Sequence, residues 1–141
     1  MKQCDEKLTN IDTDQNFFEQ DMAPLSANVY LGCWGIKKAL DLGADIVICP
    51  RVTDAAVVMG PAAWKFNWNR DDFNKLAGAL AAGHIIECGA QATGGNYSFF
   101  KEVPSFKNIG YPIAEINDDG SFFITKHQNT GGLVSKGTVT A

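Results

Sequence analysis

The feature that most constrains the fold is DIVIC, residues 45–49, a short run rich in β-branched side chains and apolar on both faces. Such a run predicts a strand buried in a parallel sheet between layers of helices. Helical patterns flank it: one is entered after Ser26 or Asn28 and stops at Gly43, and AAVVMGPAAW follows at residues 55–64. The sequence therefore predicts an α/β fold.

Later segments add a helix and a hairpin. Residues 71–89, DDFNKLAGALAAGHIIECG, have an apolar helical face, and the Gly-rich residues 91–106 predict a long loop. Residues 109–127 predict a β-hairpin, because Asp119-Gly120 is a strong turn signal. One parallel strand cannot form a sheet alone. We therefore expect helices layered on a small mixed sheet with a β-hairpin, as a fragment of a larger α/β fold.

Composition is typical of a globular protein, since 45% of the 141 residues are hydrophobic and 20% are charged. We expect a loosely ordered arm at residues 1–25, whose Phe17, Phe18 and Met22 could dock on a neighbour, and one α/β domain at residues 26–141. The net charge of −4 and the scattered basic residues argue against nucleic acid as a partner.

The sequence contains neither a signal peptide nor an apolar run of about eighteen residues, so a cytoplasmic protein without a membrane span is expected. In that compartment cysteines stay reduced. The four cysteines form no CxxC pair and are expected to be free thiols: Cys4, Cys33, Cys49 and Cys88.

A first candidate site, Arg51, Thr53 and Asp54, directly follows the predicted strand. Open α/β sheets bind ligands beyond the carboxyl ends of their strands. There an Arg can bind a carboxylate or phosphate with two hydrogen bonds, and an Asp can act as a base or nucleophile. The alternative is structural: Asp54 would cap the next helix and Arg51 would be its ion-pair partner.

A second candidate site lies on the helix in GHIIECGA. His84 and Glu87 are three residues apart and share a helix face, so they could form an acid/base pair or two metal ligands. Two ligands are too few for a metal site. The alternatives are a half-buried His paired with its neighbour and, for Cys88, a buried structural thiol rather than a nucleophile.

Two Gly-rich turns form a third candidate site, as cradles for an anion. Neither turn matches a nucleotide-binding spacing, and the alternative is that both are tight turns. The residues concerned are Thr93, Gly94 and Gly95 in the first turn and Thr130, Gly131 and Gly132 in the second.

Clustered aromatic residues could line an apolar pocket, although core packing is the better interpretation of the first group. A pocket or an interface is the better interpretation of the second group, which lies in the predicted loop. The first group is Trp64, Phe66, Trp68 and Phe73; the second is Tyr97, Phe99 and Phe100.

Taken together, these motifs resemble the acyclic terpene utilisation protein A family over residues 26–138. The matching words are ANVYLGCWGIKKALDLGADIVICPRVTDAAVVMGP, DDF-KLAGALAAGHIIECGAQATGG, VPSFKNIGYPIAEINDDGSFFITK and NTGGLVS. The resemblance implies a role beside enzymes that degrade citronellol- and geraniol-like compounds through CoA esters. It carries over Arg51, Asp54, His84, Glu87, Thr93, Gly94 and Gly95 as candidate site residues.

The sequence departs from the family pattern in three places. Family members normally carry a longer N-terminal α/β portion with its own Gly-rich motif, which would supply neighbouring strands and part of an active site. The family helix after the TGG turn is cut off at Ala141. Cys49-Pro50 stands where the family has a small residue and Gly before the Arg. These departures leave open whether this chain alone is active.

Three functions compete. The first is an enzyme of acyclic terpenoid or branched acyl-CoA catabolism, hydratase-like or hydrolase-like, whose substrate is small and apolar or anionic and is carried as a CoA ester. The second is a non-catalytic binding or assembly module of such a pathway, which would form a homo-oligomer through exposed apolar surface. The third is metal-dependent hydrolysis through His84, Glu87 and Cys88.

Overall fold

Helices and a two-stranded sheet make up the fold of residues 8–20 and 23–141, which are the residues that this computed structural model describes. Cys4 and Met22 fall outside them. The α/β class is confirmed, although the sheet is antiparallel rather than mixed. The α-helices are α1 (Trp34–Asp41), α2 (Ala56–Lys65), α3 (Phe73–Glu87) and α4 (Lys136–Thr140). The strands are β1 (Pro112–Ile116) and β2 (Phe122–Lys126), and short 3-10 helices lie at Phe17–Glu19, Gly89–Thr93 and Phe100–Glu102.

Helix α1 begins at Trp34, several residues later than the sequence predicts. The backbone before it makes a short parallel contact instead. The Leu31 N–H donates to the Arg51 carbonyl at 3.1 Å, and the Thr53 N–H donates to the Leu31 carbonyl at 2.9 Å. The predicted entry is wrong because Gly32 disfavours a helix and the β-branched and aromatic residues before it favour an extended chain.

The strand predicted at residues 45–49 is wrong, and only part of the segment packs against the core. No strand is assigned there, and the nearest parallel pairing is the single bridge between Leu31 and Val52. Val47 packs towards the core of α1 and α2, whereas Ile46 is 83% exposed and Ile48 is 92% exposed. An apolar run forms a strand only when another strand pairs with it, and the Leu31–Val52 bridge lies beyond residues 45–49.

Small residues bring α1, α2 and α3 close together. A Cβ atom on Gly60 of α2 would lie 2.7 Å from the Ile36 Cβ of α1. A Cβ on Gly83 of α3 would lie 3.0 Å from the Ala55 Cα just before α2. Fully buried alanines complete these contacts, so the helix backbones approach to a distance that larger side chains would prevent. The alanines are Ala56, Ala63, Ala79 and Ala82.

The aromatic cluster after α2 belongs to the core at one residue and to the surface at others. Trp68 is 2% exposed, stacks on Phe66, and donates its indole N–H to the Asp118 carbonyl at 2.9 Å. Core packing is therefore confirmed for Trp68, which ties the segment after α2 to the hairpin turn. Trp64 and Phe73 are exposed and do not close a pocket with it.

The hairpin is confirmed, with Pro112 paired to Lys126 at its open end and Ile116 to Phe122 at its turn. Gly120 adopts a left-handed φ of 85°, which is the conformation that this turn needs from Gly. Helix α3 passes directly over the turn. A Cβ on Gly78 would collide with the Gly120 carbonyl oxygen, so α3 and the hairpin meet backbone to backbone.

A short helix, α4, begins after the second Gly turn. The Ser135 side chain accepts the Thr138 N–H at 3.2 Å, and the Thr138 hydroxyl accepts the Ser135 N–H at 2.9 Å. This reciprocal pair is a capping box and begins α4. Across the part of the chain that the structure describes, no helix has the length and apolarity to cross a membrane.

We expect Gly78→Ala to destabilise the protein, because the added methyl group meets the Gly120 backbone, which cannot move aside as a side chain can. Overpacking of this kind costs about 1–3 kcal/mol. Gly35→Ala is the matched control, since a Cβ there meets no atom within 4 Å and Ala favours a helix by up to about 1 kcal/mol. Urea unfolding followed by circular dichroism measures both. Equal effects of the two substitutions would contradict the described contact of α3 with the hairpin.

Candidate functional site

Thr53 and Asp54 lie exposed between the Leu31–Val52 bridge and α2, and Arg51 lies exposed directly before Val52. Ala55 occupies the N-cap position of α2 and no side chain caps the helix. The first turn is closed by backbone, with the Ala56 N–H donating to the Thr53 carbonyl at 2.8 Å. The structural alternative for Asp54, a capping residue, is therefore not what this helix start shows.

Arg51 is held by an aromatic side chain rather than by a carboxylate. Its guanidinium donates to the Tyr30 hydroxyl at 3.1 Å, and its central carbon lies 5.2 Å from the centre of the Tyr30 ring. Ion pairs among residues 8–20 and 23–141 join Lys37 to Asp41 and Lys75 to Asp72. Arg51 and Asp54 are not paired with each other, so the exposed positive charge of Arg51 can meet an anionic ligand.

His84 and Glu87 are both exposed near the end of α3, and Cys88 follows at its C-cap. The Cys88 thiol donates to the Glu87 carboxylate. Cys88 is itself exposed, so its interpretation as a buried structural thiol is wrong. Helix α3 ends at Glu87, so Cys88 lies at the C-cap rather than within the helix that the sequence predicts.

The surroundings of Cys88 favour its protonated thiol over the thiolate. The hydrogen bond to Glu87 is the largest cause that raises the pKa of Cys88, followed by desolvation and then by the charges of Glu87 and Asp54. Because a thiolate beside carboxylates is disfavoured, Cys88 is a poor nucleophile at neutral pH. The stabilising effect of this raised pKa is present at neutral pH and is lost as alkaline pH ionises the thiol.

The charge of Asp54 is the smallest of the four causes that raise the pKa of Cys88, as expected if the first two candidate sites are neighbours. The close contact of Gly83 with Ala55 makes them neighbours. Ala55 follows Asp54 in sequence and Gly83 precedes His84, so one backbone contact places the start of α2 beside the end of α3. The Asp54 carboxylate is 30 residues from His84 and 33 from Glu87 in sequence, yet it lies at the same end of the helix pair.

A small polar cavity of about 160 Å³ opens at this end of α3. At roughly 30 Å³ for each water, it has room for a few waters or for the reacting end of a substrate, and is too small for a long chain. Gln91 and Asn96 contribute amide groups that can donate to a developing negative charge. The main lining residues are His84, Glu87, Cys88, Gln91, Asn96 and Thr138.

The two Gly-rich turns meet, but their N–H groups are used by the fold. Gly94 and Gly95 donate to carbonyls one turn earlier, at 3.0 Å each. Gly131 donates to the Asn108 carbonyl at 2.9 Å, and Gly132 donates to that of Ser105 at 2.7 Å. An anion would have to displace these bonds. The geometry accordingly favours the alternative that the sequence left open, in which both segments are tight turns.

Thr93 and Thr130 are likewise occupied within the fold. Thr93 is fully buried, and its hydroxyl lies 2.6 Å from the Gly110 carbonyl, to which it donates. Its own carbonyl accepts the Leu133 N–H at 2.9 Å. The Thr130 hydroxyl donates to the His127 carbonyl at 2.6 Å. Thr93 therefore joins three segments of the chain and does not point into the polar cavity.

Sequence reasoning missed Tyr30, Gln91 and Asn96. Gln91 lies four residues beyond Glu87, and this helix-like spacing is a signal that could have placed it beside the site. Tyr30 is 21 residues from Arg51, and nothing in their spacing predicts the contact. Asn96 follows the first Gly turn, and the sequence does not show towards which part of the fold this turn leads the chain.

The third functional hypothesis needs at least three metal ligands. Over residues 8–20 and 23–141, no three side chains of His, Cys, Asp or Glu converge in a way that could hold a metal ion. His84, Glu87 and Cys88 thus share a cavity without forming a ligand set.

Comparison with known proteins identifies a family. The family model described as "Acyclic terpene utilisation family protein AtuA" matches residues 1–141. The resemblance that the motifs of residues 26–138 indicate is therefore confirmed, and it extends over the whole chain. Comparisons with curated proteins and with solved structures returned no match.

We expect Glu87→Gln to make Cys88 react several-fold faster with iodoacetamide at mildly alkaline pH. The substitution removes the largest cause of the raised pKa, so a larger fraction of the thiol ionises. Peptide mass mapping of the alkylated protein measures the rate at Cys88 separately from buried Cys33.

Glu102→Gln is the matched control, because Glu102 accepts from Tyr97 at 2.8 Å and has no contact with Cys88. Asp54→Asn should give a smaller acceleration than Glu87→Gln, since the Asp54 charge is the weakest of the four causes. A Cys88 rate unchanged in both Glu87→Gln and Asp54→Asn would show that neither carboxylate lies beside the thiol.

Proposed function

The chain belongs to the acyclic terpene utilisation family AtuA, and on that premise we propose that it is an enzyme of acyclic terpenoid or branched acyl-CoA catabolism. The proposed reaction is the addition of water, either to a carbon–carbon double bond or to a thioester. The observation that carries this proposal is that His84 and Glu87 line one polar cavity, while the contact of Gly83 with Ala55 places Asp54 near the same end of α3. Two carboxylates and an imidazole are the groups that general acid–base catalysis uses.

Glu87 suits the role of general base. It lines the cavity, and the hydrogen bond from Cys88 restricts where its carboxylate can point. As base it would take a proton from a water molecule while the water oxygen bonds to the substrate carbon. His84, on the same helix and in the same cavity, would deliver a proton to the other carbon or to the departing thiolate.

Asp54 and Arg51 do not line the polar cavity, and they suit supporting roles from the segment before α2. The Asp54 carboxylate can orient the water or the imidazole, and in a hydrolase it could itself attack the acyl carbon. The Arg51 guanidinium, fixed against Tyr30, can bind a carboxylate or a phosphate of a CoA ester. The Thr53 backbone carbonyl supports the first turn of α2, which leaves its hydroxyl as a further polar group beside Asp54.

A non-catalytic assembly module is the second candidate, and exposed apolar surface favours it. Ile46 and Ile48 lie almost fully in solvent on an extended segment, and Phe99 and Phe100 are exposed on the loop after the first Gly turn. Surface of this kind commonly marks a protein–protein interface. This candidate predicts stable homo-oligomers and no turnover.

We expect the wild-type chain to convert geranoyl- or citronelloyl-CoA, with water entering the product. Glu87→Gln and Asp54→Asn should each lower kcat by about 10²–10⁴, the range typical of losing a general acid or base. Glu115→Gln is the matched control, because Glu115 is an exposed carboxylate on β1, away from the cavity. Product formation followed by mass spectrometry in labelled water measures turnover, and thermal unfolding verifies that each variant is folded.

Full turnover by both carboxylate variants would refute the proposed roles. The assembly module would be supported instead if the folded wild-type chain shows no turnover with any of these substrates and forms a concentration-dependent oligomer in light scattering.

A further inference from the structure

A second cavity lies between α1 and the extended segment at residues 47–52. It is separate from the polar cavity at the end of α3. Its volume is about 470 Å³, within the range of about 300–1,000 Å³ that small-molecule sites occupy. Its walls are apolar along their length, and Arg70 is the one charged residue among those that line it. The main wall residues are Leu31, Trp34, Ala39, Val47, Ile48 and Val52. We call this cavity the α1 groove.

One wall of the α1 groove is apolar surface that the fold leaves in solvent. Ile48 is almost fully exposed, although its neighbours Val47 and Cys49 pack towards α1 and α2. Leaving such a side chain in water is unfavourable, and a bound apolar group would shield it. The groove therefore offers apolar surface to a ligand without requiring the core to open.

Two glycines keep the other wall open. A Cβ on Gly32 or Gly35 would meet no atom within 4 Å, whereas a Cβ on Gly60 would collide with Ile36. Close packing of the described residues thus requires Gly60, but it does not require Gly32 or Gly35. Gly35 also lowers the helix propensity of α1. What both glycines do provide is room on the groove wall for atoms that are not part of this fold.

Arg70 supplies one positive charge at the α1 groove. Its guanidinium carbon lies 4.9 Å from the centre of the Trp34 ring, which limits the positions that the charge can take. In the described residues no carboxylate forms an ion pair with it. A guanidinium held in this way can bind a carboxylate with two parallel hydrogen bonds. Burial raises the pKa of Cys33 at the start of α1, and the nearby charge of Arg70 acts in the opposite direction.

We propose that the α1 groove binds a small amphiphile, with an apolar chain along the groove and a single carboxylate on Arg70. The apolar walls with one cation match a monocarboxylic acid better than a neutral hydrocarbon or a polyanion. A peptide segment or a second copy of the chain would also bury Ile48. The small acid is favoured because the room beside Gly32 and Gly35 matches its apolar chain and the single charge of Arg70 matches its one carboxylate. The site requires no catalysis by Glu87 or Asp54.

The test is calorimetric titration of the wild-type chain with geranate and octanoate, and with octanol as the neutral probe. We expect both acids to bind more tightly than the alcohol. Arg70→Met keeps the unbranched apolar stem of the side chain and removes the charge. It should therefore weaken acid binding about tenfold or more and bring it to the level of the alcohol. Gly35→Leu fills the groove and should abolish binding of all three probes.

The site is located by the indole N–H signals in ¹H–¹⁵N spectra. The Trp34 signal should move saturably with acid concentration, whereas the signal of Trp68, buried and bonded to Asp118, should not. Arg51→Met distinguishes this site from the proposed active site, because the α1 groove predicts that acid binding survives that change. Thermal unfolding verifies that the variants remain folded.

Three outcomes would overturn the proposal: no binding of either acid, acid binding that is lost in Arg51→Met but not in Arg70→Met, or binding that persists in Gly35→Leu. A concentration-dependent dimer of the wild-type chain that Gly35→Leu abolishes would assign the groove to a second copy instead. Turnover that depends on Glu87 and Asp54 is measured separately. The proposed function can therefore fail while the α1 groove stands, and the reverse.

Discussion

The contact between Gly83 and Ala55 is the constraint on which the proposed active site depends. Without a side chain at Gly83, the end of α3 approaches the start of α2 until a Cβ would lie only 3.0 Å from the Ala55 Cα. Asp54 and His84 flank the two residues in contact. A larger residue at position 83 would separate the helices and with them the carboxylates. The same small residues therefore set both the helix packing and the separation of Asp54 from His84 and Glu87.

Segments with strong local signals were predicted correctly from the sequence. The Asp119-Gly120 turn and most of α3 depend on residues close together in the chain. The strand predicted at residues 45–49 failed because a strand is defined by its neighbours, which a local pattern does not contain. The anion cradles met a similar difficulty, since the partners of Gly131 and Gly132 are carbonyls more than 20 residues away.

The candidate site was predictable in its residues more than in its arrangement. Residue types and spacing singled out Arg51, Asp54, His84 and Glu87, each of which remains exposed in the fold. Their assembly was not predictable, because it follows from the close approach of α2 to α3. The exposure of Cys88 depends on where α3 ends, and helix ends are the least certain part of a sequence pattern.

The hydrogen bonds of Thr93 affect which segments of the protein unfold locally under native conditions. Its buried hydroxyl and its carbonyl hold Gly110 and Leu133, so the segments around residues 93, 110 and 133 cannot separate one at a time without exposing unpaired polar groups. Such segments tend to open together as one cooperative unit. Slow amide exchange should accordingly appear and disappear jointly across these three segments, while the exposed stretch around Ile46 and Ile48 exchanges independently of them.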